Sequence, residues 1–119
     1  MKSLTAQEII EKYTEYATIQ GQSMLDGNYK MNNKMVKKIN VYYKEFQNNT
    51  ELGKVVLKEL LNSDSFQTRI NAAADCLRLK LYQDEALRVL RNASKRKDIL
   101  GFGPEMALEI WKEKGKLDD

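Results

Sequence analysis

Residues 60–77 of the chain read Leu60-Leu61-Asn62-Ser63-Asp64-Ser65-Phe66-Gln67-Thr68-Arg69-Ile70-Asn71-Ala72-Ala73-Ala74-Asp75-Cys76-Leu77. Apolar residues stand on both sides of a short polar turn, which predicts one helix that ends near Leu61 and a second that begins near Phe66. The alanines of the second helix are small, so a neighbouring helix can approach it closely. Two helices joined by a tight turn are typical of helical repeat proteins, which use extended surfaces for binding. The stretch therefore favours an all-α recognition protein.

Three amphipathic segments precede this turn. Thr5 and Glu8 have the spacing of a capping box, so the first helix is predicted to begin near Ala6. The residues at 26–28, Asp-Gly-Asn, end it. Apolar residues at spacings of three or four predict a second helix along 31–46 and a third, more apolar helix along 52–61.

Two further helices are predicted after the alanine-rich segment. Asp84 is the expected cap of a fifth helix. Residues 101–104, Gly-Phe-Gly-Pro, predict a loop, and Pro104 suits the first residue of a sixth helix because its missing amide hydrogen is not needed there. This last helix is expected to run through Trp111 to Gly115.

Six short helices, short connections and no alternating strand pattern predict a single all-α domain that spans residues 1–119. We expect about six antiparallel helices in a small HEAT-like, α-solenoid-type arrangement. The side chains expected inside are Met35, Ile39, Phe46, Leu57, Leu60, Ile70, Ala73, Leu77, Leu87, Leu90 and Leu108.

Composition argues against most catalytic chemistry. The chain has no His, which is the commonest general base and metal ligand, and its one Cys cannot form a zinc site or an internal disulfide. Cys76 is expected to be a small buried apolar residue. Glu8, Glu11 and Glu15 could in principle support hydrolysis by carboxylates alone, but their spacing is typical of a solvated helix face. We therefore expect no enzyme activity, no metal and no cofactor.

The expected location is the cytoplasm. The first residues contain no apolar run of the kind found in signal peptides, and no segment has the roughly 20 apolar residues of a membrane span. The single Cys fits a reducing compartment. The net charge of +3 is too small for a dedicated nucleic-acid binder, although residues 28–61 alone sum to +4.

A basic ridge on the second helix is the candidate partner-binding site. It comprises Lys30, Lys34, Lys37, Val41 and Lys44, which lie opposite the apolar stripe. The ridge suits an acidic protein partner or a phosphate backbone, and a solvated helix face has the same pattern. No Arg or aromatic residue is interleaved to read or stack on bases, so a protein partner is favoured over nucleic acid.

Four other residues are expected to act structurally. Asp64 caps the fourth helix or accepts a hydrogen bond from Arg69, which holds the turn. Asn32 is expected to be a buried amide that ties the second helix to a neighbouring loop, because Asn is a mediocre helix former. Trp111 is expected to pack in the core against the fifth helix.

The order of several features resembles a bacterial family known as domain of unknown function 2019. The features are a first helix with two tyrosines, Gly27-Asn28-Tyr29-Lys30 followed by Asn32-Asn33, the helix with Arg69 and Ala72-Ala73, Glu85-Ala86-Leu87, and Leu100-Gly101-Phe102 before Leu108 and Trp111. The resemblance implies a small cytoplasmic HEAT-like recognition module. It further implies an immunity protein that binds and blocks a cognate toxin; a HEAT-like nucleic-acid binder that uses the basic ridge is the alternative.

Overall fold

The computed structural model describes residues 4–117, and its first helix begins at the predicted capping box. The backbone amide of Glu8 donates to Oγ1 of Thr5 at 3.1 Å, and the backbone amide of Thr5 donates to the Glu8 carboxylate at 3.2 Å. These two bonds satisfy amides that a helix start otherwise leaves unpaired. The predicted start at Ala6 is confirmed.

The described residues form six α-helices and one short 3₁₀ turn. The helices are α1 (Ala6–Leu25), α2 (Tyr29–Asn48), α3 (Thr50–Leu60), α4 (Phe66–Leu79), α5 (Gln83–Ala93) and α6 (Phe102–Lys114), with the 3₁₀ turn at Ile99–Gly101. The all-α prediction is therefore confirmed. The predicted domain ends, residues 1–3 and 118–119, lie outside the described residues.

The core lies between α1, α2, α3, α4 and α5. α1 packs most extensively on α2 and also contacts α3 and α4, whereas α6 packs mainly on α5 and on the 3₁₀ turn. Tyr13 and Phe46 are fully buried at the centre, with their ring centroids 6.5 Å apart. α6 is thus an outer helix that has one main helical neighbour.

Burial agrees with most of the expected core. The buried members are Met35, Ile39, Phe46, Leu57, Leu60, Ile70, Ala73, Leu77 and Leu90. Leu87 and Leu108 are only partly buried, so the prediction is wrong for these two. Leu87 lies at the edge of the buried side of α5, which is formed by Ala86, Leu90 and Ala93. Leu108 lies on α6, which packs mainly on α5 and the 3₁₀ turn and is therefore less covered.

The junction between α4 and α5 differs from the prediction. α5 begins at Gln83 after Tyr82, so Asp84 lies in the first turn and is not the cap. Lys80 and Tyr82 both have left-handed backbone conformations, with φ values of 61° and 46°. The Tyr82 hydroxyl donates to the carbonyl of Lys54 on α3 at 3.0 Å, so this junction also contacts a third helix.

The predicted loop at residues 101–104 is helical instead. Asp98 caps the preceding 3₁₀ turn by accepting from the amide of Leu100 at 3.1 Å, and α6 then begins at Phe102. Pro104 is the third residue of α6, where an amide hydrogen still has no partner within the helix. The predicted end at Gly115 is confirmed, with φ of 70°.

Candidate functional site

The basic ridge lies on the solvent side of α2. Lys30, Lys34, Lys37, Val41 and Lys44 are all exposed. The opposite side of α2 contributes Met35, Ile39, Tyr42 and Phe46 to the interior. Spacings of three and four place the five ridge residues in one stripe along the helix. The structure therefore brings the predicted ridge together on one surface, with Val41, which is 59% exposed, as its apolar member.

The ridge carries positive charge without a bound counter-charge. None of its four lysines forms an ion pair or hydrogen bond with another residue in the described range 4–117. The fifth lysine of α2, Lys38, lies with Nζ 5.2 Å from the ring centroid of Tyr16. Glu45 is the one acidic residue of α2, which leaves the helix with a formal charge of +4. The ridge therefore attracts an anionic surface.

A cleft of about 320 Å³ lies between α1, α2 and α4, next to the ridge. Its lining includes Tyr13, Gln20, Asn40, Asn71 and Asp75, together with five further residues, Val36, Ile39, Tyr43, Ala74 and Arg78. Asn40 is exposed and lies three residues after Lys37 and four before Lys44. Because residues at these spacings are neighbours on a helix, the cleft and the ridge form a continuous surface.

One wall of the cleft is built around a buried carboxylate. The Tyr13 hydroxyl donates to Oδ2 of Asp75 at 2.8 Å, and Nη1 of Arg78 donates to Oδ1 at 3.1 Å. Asp75 is only 5% exposed, and the Arg78 guanidinium lies 5.9 Å from the ring centroid of Tyr43. A buried carboxylate needs such partners, because an unpaired one is costly to desolvate. The arrangement joins α1, α2 and α4.

Carboxamides form a second chain of hydrogen bonds between α1 and α4. Nδ2 of Asn71 donates to Oε1 of Gln20 at 2.8 Å, and Nε2 of Gln67 donates to Oδ1 of Asn71 at 3.0 Å. Oε1 of Gln67 is buried and has no partner among the described residues. The helices approach closely here, since a Cβ on Gly21 would lie 3.1 Å from Cβ of Gln67.

The chemistry of the cleft is that of hydrogen bonding. Burial, and then the charge of Asp75, raise the pKa of the Tyr13 hydroxyl well above its usual value, so Tyr13 remains a proton donor. Burial raises the pKa of the nearby Cys76 thiol to about 12, which keeps it protonated at neutral pH. Amide groups of Gln20, Asn40 and Asn71 supply both donors and acceptors at the cleft. Residues 4–117 contain no cluster of three acidic or Cys side chains suited to a metal ion.

The turn at residues 62–65 is held by Arg69 but not by Asp64. Nη1 of Arg69 donates to the carbonyl of Ser63 at 2.7 Å, and its guanidinium lies 5.7 Å from the ring centroid of Phe66. Asp64 is exposed and makes no hydrogen bond or ion pair within the described part of the chain. Ser65 is the N-cap residue of α4. Asp64 neither caps α4 nor accepts a hydrogen bond from Arg69, so its predicted role is wrong.

Asn32 and Trp111 lie far from the turn in sequence and belong to other helices. Oδ1 of Asn32 is buried as expected, but it has no hydrogen-bond partner among residues 4–117, so the predicted tie to a loop is wrong. The side chain that caps α2 is instead Asn28, whose Oδ1 accepts from the amide of Met31 at 3.1 Å. Trp111 is partly buried and packs against the core.

The Tyr13, Asp75 and Arg78 group was not found from the sequence. Asp75 and Arg78 have a helical spacing of three, which is a visible signal for an ion pair. Tyr13 lies 62 residues earlier, and only the packing of α1 on α4 brings it to Asp75. An acidic residue within an alanine-rich face was a second signal in the sequence, because such a group is rarely buried without partners.

Comparisons with known proteins do not extend this picture: no protein-family model matches the chain, and no curated protein or solved structure shows significant similarity to it. None of the described helices is both long and apolar enough to cross a membrane.

Proposed function

We propose that this chain is a non-enzymatic, HEAT-like recognition protein of the cytoplasm that binds a protein partner through the basic ridge of α2. The partner we propose is a cognate bacterial toxin, which the chain blocks as an immunity protein. The observation that carries the proposal is the ridge itself: an exposed Val41 among four lysines that have no counter-charge. The resemblance to the domain of unknown function 2019 family supports the proposal. Membership of that family is itself still a prediction.

The ridge has features of a protein-binding surface. Protein interfaces combine an apolar centre with a polar rim, and Val41 with its neighbouring lysines has this pattern on a small scale. The adjoining cleft adds carboxamides and the partly exposed Arg78, which suit hydrogen bonds to a partner's backbone or side chains. The matching partner presents an acidic surface around an apolar spot.

The ridge is also held rigidly. The buried side of α2 places Tyr42 6.5 Å from Tyr13 and 6.4 Å from Tyr16, measured between ring centroids, and Phe46 is fully buried. A surface that is already ordered loses less conformational entropy when it binds. Inhibition by occlusion needs only such a surface and one bound toxin per chain.

Nucleic acid is the second candidate for the same ridge, because its unpaired lysines suit a phosphate backbone. Binding by phosphate contacts falls steeply with salt, with a slope of about −0.9 per contact on a double-logarithmic plot. A protein interface with an apolar centre depends less on salt. A salt titration with duplex and single-stranded probes therefore separates the two candidates.

The test of toxin blocking starts from a polypeptide that co-purifies with the chain from its native cell. That polypeptide is expressed alone in a host, where growth arrest is expected, and then together with the wild-type chain, where growth is expected to return. The variants are Val41→Ser on the ridge and Val55→Ser on α3, whose side chains are 59% and 58% exposed. Protection is expected to weaken with Val41→Ser and to persist with Val55→Ser. A harmless co-purifying polypeptide would overturn the proposal.

A further inference from the structure

The last helix exposes an apolar stripe on its outer side. Phe102, Met106 and Ile110 recur every four residues along α6 and are 61%, 42% and 36% exposed. Ile99, in the preceding 3₁₀ turn, is 50% exposed. Side chains four residues apart lie one above another on a helix, so the three α6 residues form one continuous stripe. We refer to these three residues as the α6 stripe.

The orientation of α6 is fixed by its other side. Ala107, Leu108 and Trp111 pack against the core, and Pro104 is fully buried. Leu117, beyond the end of the helix, is buried in the same core. These contacts hold α6 at both ends, so the α6 stripe faces outward.

Carboxylates run beside the α6 stripe. Glu105, Glu109 and Glu113 each follow a stripe residue by three positions, and all three are exposed. None of them forms an ion pair or hydrogen bond with another residue between positions 4 and 117. Lys112 and Lys114 lie in the last turn of α6, so carboxylates are the only charged groups of the helix beside Phe102 and Met106.

We propose that the α6 stripe is a docking site for an amphipathic helix of a partner protein with apolar residues at spacings of three or four, flanked by Lys or Arg. Contact with the stripe buries the apolar side of the partner helix, and the three carboxylates favour a basic partner by charge complementarity. A second copy of the chain is disfavoured, because a symmetric pairing of two α6 helices brings carboxylates of both copies to the same interface. The proposal is independent of the basic ridge on α2, which selects the opposite charge.

The test uses a fluorescent synthetic helix of about 20 residues with Leu at spacings of three and four and flanking Arg. Fluorescence anisotropy measures its binding to the full chain. A peptide of the same composition in scrambled order is the control for non-specific attraction. The protein variants are Phe102→Ser with Met106→Ser, and Val55→Ser on α3 as an equally exposed control. We expect the double variant to weaken binding by about tenfold or more and Val55→Ser to leave it unchanged.

Charge reversal gives a second, independent readout. The variant Glu105→Lys with Glu109→Lys is expected to lose the Arg peptide and to bind a Glu-flanked peptide of the same apolar pattern. Both substitutions lie on exposed positions, so the variant should keep its fold, which circular dichroism checks. Three results would overturn the proposal. The scrambled peptide could bind as well as the ordered one, or neither ordered peptide could bind. The third is a dimer of the chain that Phe102→Ser dissociates.

Discussion

The hydroxyl of Tyr13 on α1 donates a hydrogen bond of 2.8 Å to the buried Asp75 on α4. The same carboxylate accepts from Arg78, whose guanidinium lies near the ring of Tyr43 on α2. One acidic side chain thus links three helices that also support the basic ridge and the cleft. All four of these side chains line the cleft.

Tyr13→Phe should destabilise the fold. The substitution removes a hydrogen bond to a buried charged group and leaves Oδ2 of Asp75 without that donor, so we expect the free energy of unfolding to fall by about 1–3 kcal/mol. Urea unfolding followed by circular dichroism measures the change.

Tyr82→Phe is the matched control, because it also removes one hydroxyl bond, here to the carbonyl of Lys54 at an exposed site. We expect a loss below about 1 kcal/mol, since water can replace the hydroxyl there. Equal losses in the free energy of unfolding would show that the buried hydrogen bond stabilises the fold no more than the exposed one.

Alkaline pH should weaken the fold. Burial raises the pKa of Cys76 from 9.0 to about 12, so between these values the folded state keeps a proton that the unfolded state has lost. The free energy of unfolding therefore falls as pH rises through this window, by at most about 1.4 kcal/mol per pH unit for this thiol. Well below pH 9 the thiol is protonated in both the folded and the unfolded state, so it contributes no pH dependence there.

Urea unfolding at several pH values from 7 to 10.5 measures this dependence. Tyr13 contributes in the same direction, because its pKa is also raised. The variant Cys76→Ala isolates the thiol and should show a shallower alkaline decline than the wild type. Identical slopes for the two proteins would rule out the thiol as a cause.

Two glycines near the start of α6 should respond oppositely to alanine. A Cβ on Gly101 would lie 2.2 Å from the carbonyl oxygen of Arg96, so Gly101→Ala must displace backbone and should destabilise the fold. Gly103 lies within α6 and has nothing within 4 Å of its Cβ position. Gly103→Ala should therefore raise the free energy of unfolding by about 0.5–1 kcal/mol, because Ala is the better helix former.

Thermal unfolding of both glycine variants decides this point. A higher melting temperature for Gly103→Ala and a lower one for Gly101→Ala are expected. Tolerance of Ala at position 101 would mean that the close approach to Arg96 relaxes at little cost.

Arg69→Ala should destabilise the turn before α4, and Asp64→Ala should not. Arg69 loses its bond to the carbonyl of Ser63 and its contact with Phe66, which we expect to cost about 1–2 kcal/mol. Asp64 is exposed and has no described partner, so its removal is expected to change stability by less than about 0.5 kcal/mol. Chemical denaturation of both variants compares them, and a larger loss for Asp64→Ala would restore its predicted capping role.

Much of the fold followed from local patterns in the sequence. The capping box of Thr5 and Glu8, the break at Gly27 and the end of α6 at Gly115 are determined by nearby residues, and all three were predicted. The loop predicted at residues 101–104 was wrong because glycine and proline are also tolerated in the first turn of a helix. The start of α5 was missed because Tyr82 takes a left-handed conformation.

The candidate site was only partly visible in the sequence. A helical spacing is enough to place Lys34, Lys37 and Val41 on one stripe, so the ridge was predicted. The partners of Asp75 and the carboxamide chain through Asn71 come from helices far apart in sequence, and only tertiary packing shows them. The α6 stripe was hidden because both sides of α6 carry apolar residues, and periodicity alone does not say which side is packed.

The most direct test of the proposed function is affinity capture of the tagged chain from its native cell, with protein and nucleic acid quantified in the eluate. Wild-type protein, Lys37→Glu with Val41→Ser, and Val55→Ser are compared side by side. We expect one polypeptide in equimolar amount with the wild type and with Val55→Ser, and its loss with the ridge variant. Capture of nucleic acid in its place, or equal capture by the ridge variant, would contradict the proposed function.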